Sequence, residues 1–154
     1  MEKILVSACL LGVSCRYDGK SKPNERVLKL LEKDDIILIP VCPEILGGLP
    51  TPREGNELQN KASDIIKNKG KVKTKSGKDT TENFIKGAFE TLRIAKLYNI
   101  KKAILKEKSP SCGVNFVYDG SFSKNLIKGE GVTAYLLKKN NIKAISENEI
   151  DKLF

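Results

Sequence analysis

Four cysteines and one well-placed carboxylate carry most of the chemistry available to this 154-residue sequence. Cys9 and Cys15 lie in SACLLGVSCRYDG, Cys42 in PVCPEILGGLPTPR and Cys112 in KEKSPSCG. Thiolates are ligands for zinc and for iron–sulfur clusters; unligated, a cysteine is often just a small buried hydrophobe. Glu44 follows Cys42 by two residues. Beside a metal such a carboxylate activates water or shuttles a proton, and at a helix start it merely faces the dipole. Ser109 and Ser111 offer hydroxyls next to Cys112 that can position a water, donate to a metal-bound sulfur, or simply shape a turn. Arg16, Tyr17 and Asp18 set a guanidinium, a phenol and a carboxylate beside Cys15. Such groups read the edge of a base, or close a turn.

The elements that must position these groups are legible as short apolar runs. Lys3–Ala8, Asp35–Val41, Lys101–Lys106 and Ile142–Ser146 are expected strands, of the kind buried on both faces of a parallel sheet. Between them, Asn24–Lys33, Thr81–Tyr98, Gly131–Asn140 and Glu147–Leu153 have helical patterns. Thr80 or Thr81 is a candidate cap for the second of these. Gly47–Gly77 reads as a long excursion with a short strand near Lys71–Lys75, and Val114–Gly131 as a small hairpin turning at Asp119-Gly120. Alternating strands and helices predict an α/β single-domain layered, Rossmann-like fold spanning residues 1–154, with a mostly parallel central sheet flanked by helices.

On that scaffold Cys9 and Cys42 directly follow the first two strands, and Cys112 lies shortly after the third. Ligand sites in open parallel sheets form beyond the carboxyl ends of the strands, so these three thiols are expected at one edge. Cys15, further into its loop, is expected to support the site or line the pocket. Three thiolates suit a zinc centre with Cys15 as fourth ligand, although the paired CxxC knuckles of structural zinc sites are absent. They equally suit an iron–sulfur cluster, which with three protein ligands keeps one iron open as a Lewis acid for soft sulfur. Cysteine spacing alone leaves both open.

Composition narrows the chemistry further. There is no histidine. Cys–His and Ser–His catalysis, HExxH zinc sites and Cys₂His₂ fingers are therefore excluded. No apolar run approaches the roughly 20 residues of a membrane span, and the N-terminus lacks the basic region of a signal peptide. A cytoplasmic location with reduced thiols is expected. The net charge of +9 comes mainly from scattered lysines, with only four arginines among 28 basic residues. It reads as a solvated surface, with attraction to anions, RNA included, as the alternative. No aromatics are interleaved as in a base-stacking platform. A metal- or cluster-binding sensor, an RNA-binding module and a zinc enzyme on the same cysteines are the competing classes.

Taken together, SACLLGVSCRYDG, PVCPEILGGLPTPR, TKSGKDTTENFIKGA, AILKEKSPSCG, VYDGSF and GEGVTAYLL resemble, in order, the motifs of the DUF523 family, the thiouracil desulfurase (TudS) proteins. One departure is REGNELQ, with Gly55 where the family commonly has proline; Glu57 keeps an acidic position. The resemblance implies a [4Fe-4S] cluster on Cys9, Cys42 and Cys112, with Glu44 and Ser109 as catalytic residues. Cys15, Arg16, Tyr17, Asp18 and Ser111 are then candidate pocket residues. It implies non-redox hydrolytic C–S cleavage, thiouracil and water giving uracil and hydrosulfide. The expected partner is a small thiolated base or nucleoside, with tRNA left open by the charge.

Overall fold

The computed structural model describes residues 1–154. Along the chain run β1 (Glu2–Ser7), a 3-10 turn (Ala8–Leu11), α1 (Glu25–Lys29), β2 (Ile36–Val41), α2 (Pro43–Leu46), β3 (Asn56–Leu58), α3 (Ala62–Ile66) and β4 (Val72–Thr74). Then follow α4 (Thr81–Leu97), β5 (Lys102–Leu105), β6 (Phe116–Tyr118), β7 (Leu126–Lys128), α5 (Val132–Lys139) and β8 (Lys143–Ser146). The central sheet has the order β2-β1-β5-β8 and every pairing in it is parallel. The expected α/β fold is thus present, with its four strands where the apolar runs predicted them.

Successive strand residues point to opposite faces, and the core divides accordingly. Leu5, Ala103, Leu105 and Ala144 pack with Phe84, Ala88 and Leu92 of α4 and with Leu136 and Leu137 of α5. Ile4, Val6, Ile104 and Ile145 pack on the other face with Val27, Leu30, Ile150 and Leu153. Cys112 belongs to the first core, whereas Cys9 and Cys15 belong to the second. The loops after β1 and β5 lead to helices on opposite faces of the sheet, which opens a crevice between neighbouring strands at their carboxyl ends.

Two close approaches position the segment after β2. A Cβ on Gly87 of α4 would stand 2.0 Å from the Pro43 carbonyl oxygen, and one on Gly47 would stand 2.0 Å from that of Asn83. The missing side chains let α2 lie backbone-to-backbone on α4, and Asn83 Nδ2 donates to the Gly47 carbonyl at 2.9 Å. The N-terminus of α5 holds the other loop. The amides of Thr133 and Ala134 donate to the Ser111 carbonyl at 2.9 and 3.1 Å, and that of Val132 to Pro110 at 3.0 Å.

Several local expectations differ from the structure. The excursion contains the helix Ala62–Ile66, which buries Ala62 and Ile65. The expected helix Glu147–Leu153 shortens to a 3-10 turn at Ile150–Lys152. There, Glu147 instead accepts the Glu107 amide at 2.8 Å and pairs with Lys106 Nζ at 3.2 Å, while Glu149 turns back to the Ser146 amide at 3.1 Å. Thr80 takes the N-cap position of α4, as expected, but makes no side-chain capping bond. The Thr80 hydroxyl goes to Asn56 Oδ1 at 2.6 Å, and Asp79 Oδ1 accepts the Thr81 amide at 2.9 Å. The hairpin forms from β6 and β7, but it closes through an Asp119 amide to Asn125 carbonyl bond at 2.9 Å rather than through a two-residue turn. No helix is long and apolar enough to cross a membrane.

Candidate active site at the carboxyl edge of the sheet

The three cysteines expected at one edge arise from three neighbouring strands. Cys9 sits in the 3-10 turn directly after β1, Cys42 takes the N-cap position of α2 after β2, and Cys112 lies in the loop after β5. Cys9, Cys15 and Cys112 are buried, Cys42 is half-buried, and all four are free thiols. The structure also brings Cys15 to the site, where its thiol is electrostatically coupled to those of Cys9 and Cys42. Cys42 Sγ lies 3.7 Å from the Cys15 carbonyl oxygen.

The thiols perturb one another. At Cys15 the bond to Cys42 favours ionisation, but the bond to Cys9, burial and the Cys9 charge outweigh it and raise the pKa. Cys42 is driven far up by its bond to Cys15, then by burial and by the charges of Cys15 and Glu44. Burial pushes the Cys112 thiol up to about 12, against a lowering by the Ser7 hydroxyl. Converging sulfurs that are costly to ionise alone are what a bound cation converts to thiolates.

The donor set also bears on which metal centre fits. No three His, Cys, Asp or Glu side chains converge closely enough to hold a single metal ion. A mononuclear zinc site draws its sulfurs to about 2.3 Å from one point. A cluster distributes its thiolates over separate irons and accepts a wider triangle. Three thiols on separate loops after three strands are a donor set of the chemical type that an iron–sulfur cluster accepts.

Glu44, in the first turn of α2, is buried and held from both sides. Arg53 Nε donates to Oε1 at 3.0 Å, and the Ser111 hydroxyl donates to Oε2 at 3.1 Å. Ser111 Oγ is also 3.7 Å from Cys112 Sγ. Ser109 stands one hydroxyl further out. Its Oγ is 3.1 Å from Ser111 Oγ and accepts the amides of Ser111 and Cys112 at 3.2 and 3.0 Å. With the Ser111 proton on Glu44, the Ser109 proton points to Ser111, and the three groups form a directed chain.

Arg16, Tyr17 and Asp18 chiefly engage one another. Arg16 lies 5.7 Å from the Tyr17 ring centroid and 3.8 Å from Asp18 Oδ2, while Asp18 Oδ1 accepts the Lys20 amide at 3.0 Å. Their link to the site is through the backbone, where the Arg53 amide donates to the Tyr17 carbonyl at 2.8 Å.

Two supporting residues had no assigned role in the sequence. Arg53 ends the PTPR motif, and its rarity in a lysine-rich chain was the available signal. Glu107 is buried beneath the Cys112 loop. Its Oε1 accepts the amides of Val114, Asn115 and Phe116 at 2.8, 2.9 and 3.1 Å, and its Oε2 accepts Asn115 Nδ2 at 2.8 Å. Burial alone would raise its pKa; these donors outweigh burial and lower it.

Residues 4–149 match the 2-thiouracil desulfurase family. The chain belongs to this family. It is accordingly an enzyme acting on C–S bonds. A relative from Bacillus subtilis (strain 168), the uncharacterized protein YbbK, is 45% identical over 151 residues, covering 97% of this chain and 99% of YbbK. Among solved structures, the [4Fe-4S]-dependent thiouracil desulfidase TudS superposes with a TM-score of 0.86 at 40% identity, over 99% of this chain and 95% of that one. The desulfurase fold expected from the motifs is therefore the fold observed.

Proposed function

We propose that this desulfurase hydrolyses the C–S bond of a small thiolated pyrimidine, thiouracil and water giving uracil and hydrosulfide, with Cys9, Cys42 and Cys112 holding a [4Fe-4S] cluster. The observation carrying this reading is the placement of those cysteines after three adjacent parallel strands, at one edge of the sheet, with the buried carboxylate of Glu44 two residues beyond Cys42. The likeness to the [4Fe-4S]-dependent TudS supports the cluster and the substrate class. A cluster held by three thiolates supplies an open, Lewis-acidic iron with affinity for a soft thiocarbonyl sulfur.

The chain's own groups do the remaining work. Glu44, beside Cys42, takes a proton from water at Oε2, the oxygen that faces the Ser111 hydroxyl. Ser111 and Ser109 orient that water through their hydrogen-bond chain. The resulting hydroxide adds to the thiocarbonyl carbon; as the C–S bond breaks, the proton on Glu44 is available to the departing sulfur, and the hydroxyl proton of the adduct passes to solvent, leaving the uracil carbonyl and hydrosulfide. The oxidation state of carbon does not change. Cys15 closes the sulfur side of the pocket and Arg16–Asp18 border its rim. A free base or nucleoside is the proposed substrate, and the whole chain acts as one domain.

Anaerobic reconstitution, iron and sulfide analysis, and hydrosulfide release from 2- and 4-thiouracil test this directly. Wild type is expected to bind about four irons per chain and release hydrosulfide. Cys9→Ala, Cys42→Ala and Cys112→Ala are each expected to lose the cluster, and Glu44→Ala to keep it while losing all but a small residual turnover. A fully assembled cluster in Cys9→Ala refutes the ligand set; an intact wild-type cluster with no hydrosulfide from either base refutes the substrate.

A further inference from the structure

We infer that Arg53 is the positioning residue for Glu44, a preorganised seat that aims the carboxylate at the reacting water; this rests on Glu44 being the proton acceptor. The Arg53 side chain is only 5% exposed and uses the guanidinium as a fork. Nη1 donates to the Pro50 carbonyl and to Thr51 Oγ1, both at 3.1 Å, and Nη2 donates to the Cys15 carbonyl at 3.0 Å. These three acceptors are uncharged and belong to the two loops flanking the site. They fix the plane of the guanidinium without any help from Glu44.

Nε–H then has one direction left, and Glu44 Oε1 lies on it at 3.0 Å. One carboxylate oxygen is thereby pinned by a charge-assisted bond, while the other stays on the Ser111 side where proton transfer is needed. Lysine cannot reproduce this. It carries the charge but has no planar set of donors to span two loops and a carboxylate. The same guanidinium also bonds the Cys15 carbonyl that Cys42 Sγ approaches at 3.7 Å. Arg53 therefore ties the acid to the loop that packs against a proposed ligand.

A double-mutant cycle on anaerobically reconstituted enzyme tests the assignment. Arg53→Ala is expected to retain cluster iron and absorption, to change KM less than threefold, and to lower kcat about 100-fold, the scale of a catalytic group misplaced by about 1 Å. In a Glu44→Ala background the same change is expected to lower the residual kcat less than threefold. Arg53→Lys carries the test if Arg53→Ala folds poorly, with kcat at least tenfold down at unchanged KM. An equal loss in both backgrounds, cluster loss matching that of Cys42→Ala, or wild-type kcat in Arg53→Lys overturns the inference while leaving Glu44 in place. Full activity of Glu44→Ala instead overturns the reading of Glu44 beneath it.

Discussion

Replacing Glu107 by glutamine isolates the carboxylate that holds the Cys112 loop. In the native chain it accepts three backbone amides and the Asn115 side-chain amide. Hydrogen bonds to a charged group contribute about 1.5–3 kcal/mol each, and neutral ones about half as much. Glutamine keeps one acceptor oxygen for the backbone donors but turns an N–H toward Asn115 Nδ2. Asn115 and Phe116 are exposed, so their amides are open to water, whereas Val114 is buried. The net loss is therefore well below a simple sum, about 2–3 kcal/mol. At about 2–4 °C per kcal/mol for a chain of this size, the apo protein should melt roughly 5–10 °C lower at pH 7. The native pKa of Glu107 lies below the ordinary carboxylate value. Its contribution is then complete above the unfolded-state pKa of about 4.3 and lost as pH falls through the lowered native value. Wild type and variant should thus converge in stability in acid. Thermal and urea unfolding at pH 7 and below pH 4 measure this. Chelator challenge of the reconstituted protein should show about tenfold weaker metal retention, the scale for a group supporting a ligand. A melting change under 1 °C at pH 7, or a difference that persists unchanged in acid, refutes the clamp.

The other predictions concern the remaining supports of the site. Gly87→Ala places a methyl group 2.0 Å from the Pro43 carbonyl oxygen and must push α2 away from α4. It should cost about 3 kcal/mol or more and lower iron content, since Cys42 and Glu44 travel with α2; unchanged melting and iron content would refute that close approach. Cys15→Ala should keep the full iron content with a modest stability loss of about 1 kcal/mol, because the Cys15 carbonyl that Arg53 holds is retained. Loss of half the iron would instead make Cys15 a ligand.

Which parts of this arrangement were legible in the sequence follows from how far each signal reaches along the chain. The four central strands are local runs of apolar residues, and their parallel pairing follows from the helices between them. The thiols could be placed because a residue immediately after a parallel strand has little choice of position. Arg53 and Glu107 escaped notice because each sits in a polar segment that reads as surface, and each acquires its partners only when distant loops close. The relation of Ser109 to Ser111 depended on the turn itself: the two alternate along the loop, and only its backbone geometry turns Ser111 toward Glu44. The C-terminal turn was missed because Glu147 is captured by the distant Lys106-Glu107 pair. Helical propensity had no means to register that competition.

The strand order has a consequence for how a metal centre would be acquired. No two of the proposed ligands lie on one local element; each follows a different one of three adjacent strands. A nascent chain has no compact pair of thiols with which to capture iron early, as a CxxC knuckle does. The binding triangle exists only after β1 has been flanked by both β2 and β5, late in synthesis and after long-range closure. Maturation would then be a delivery to a finished receptacle rather than a capture by the growing chain.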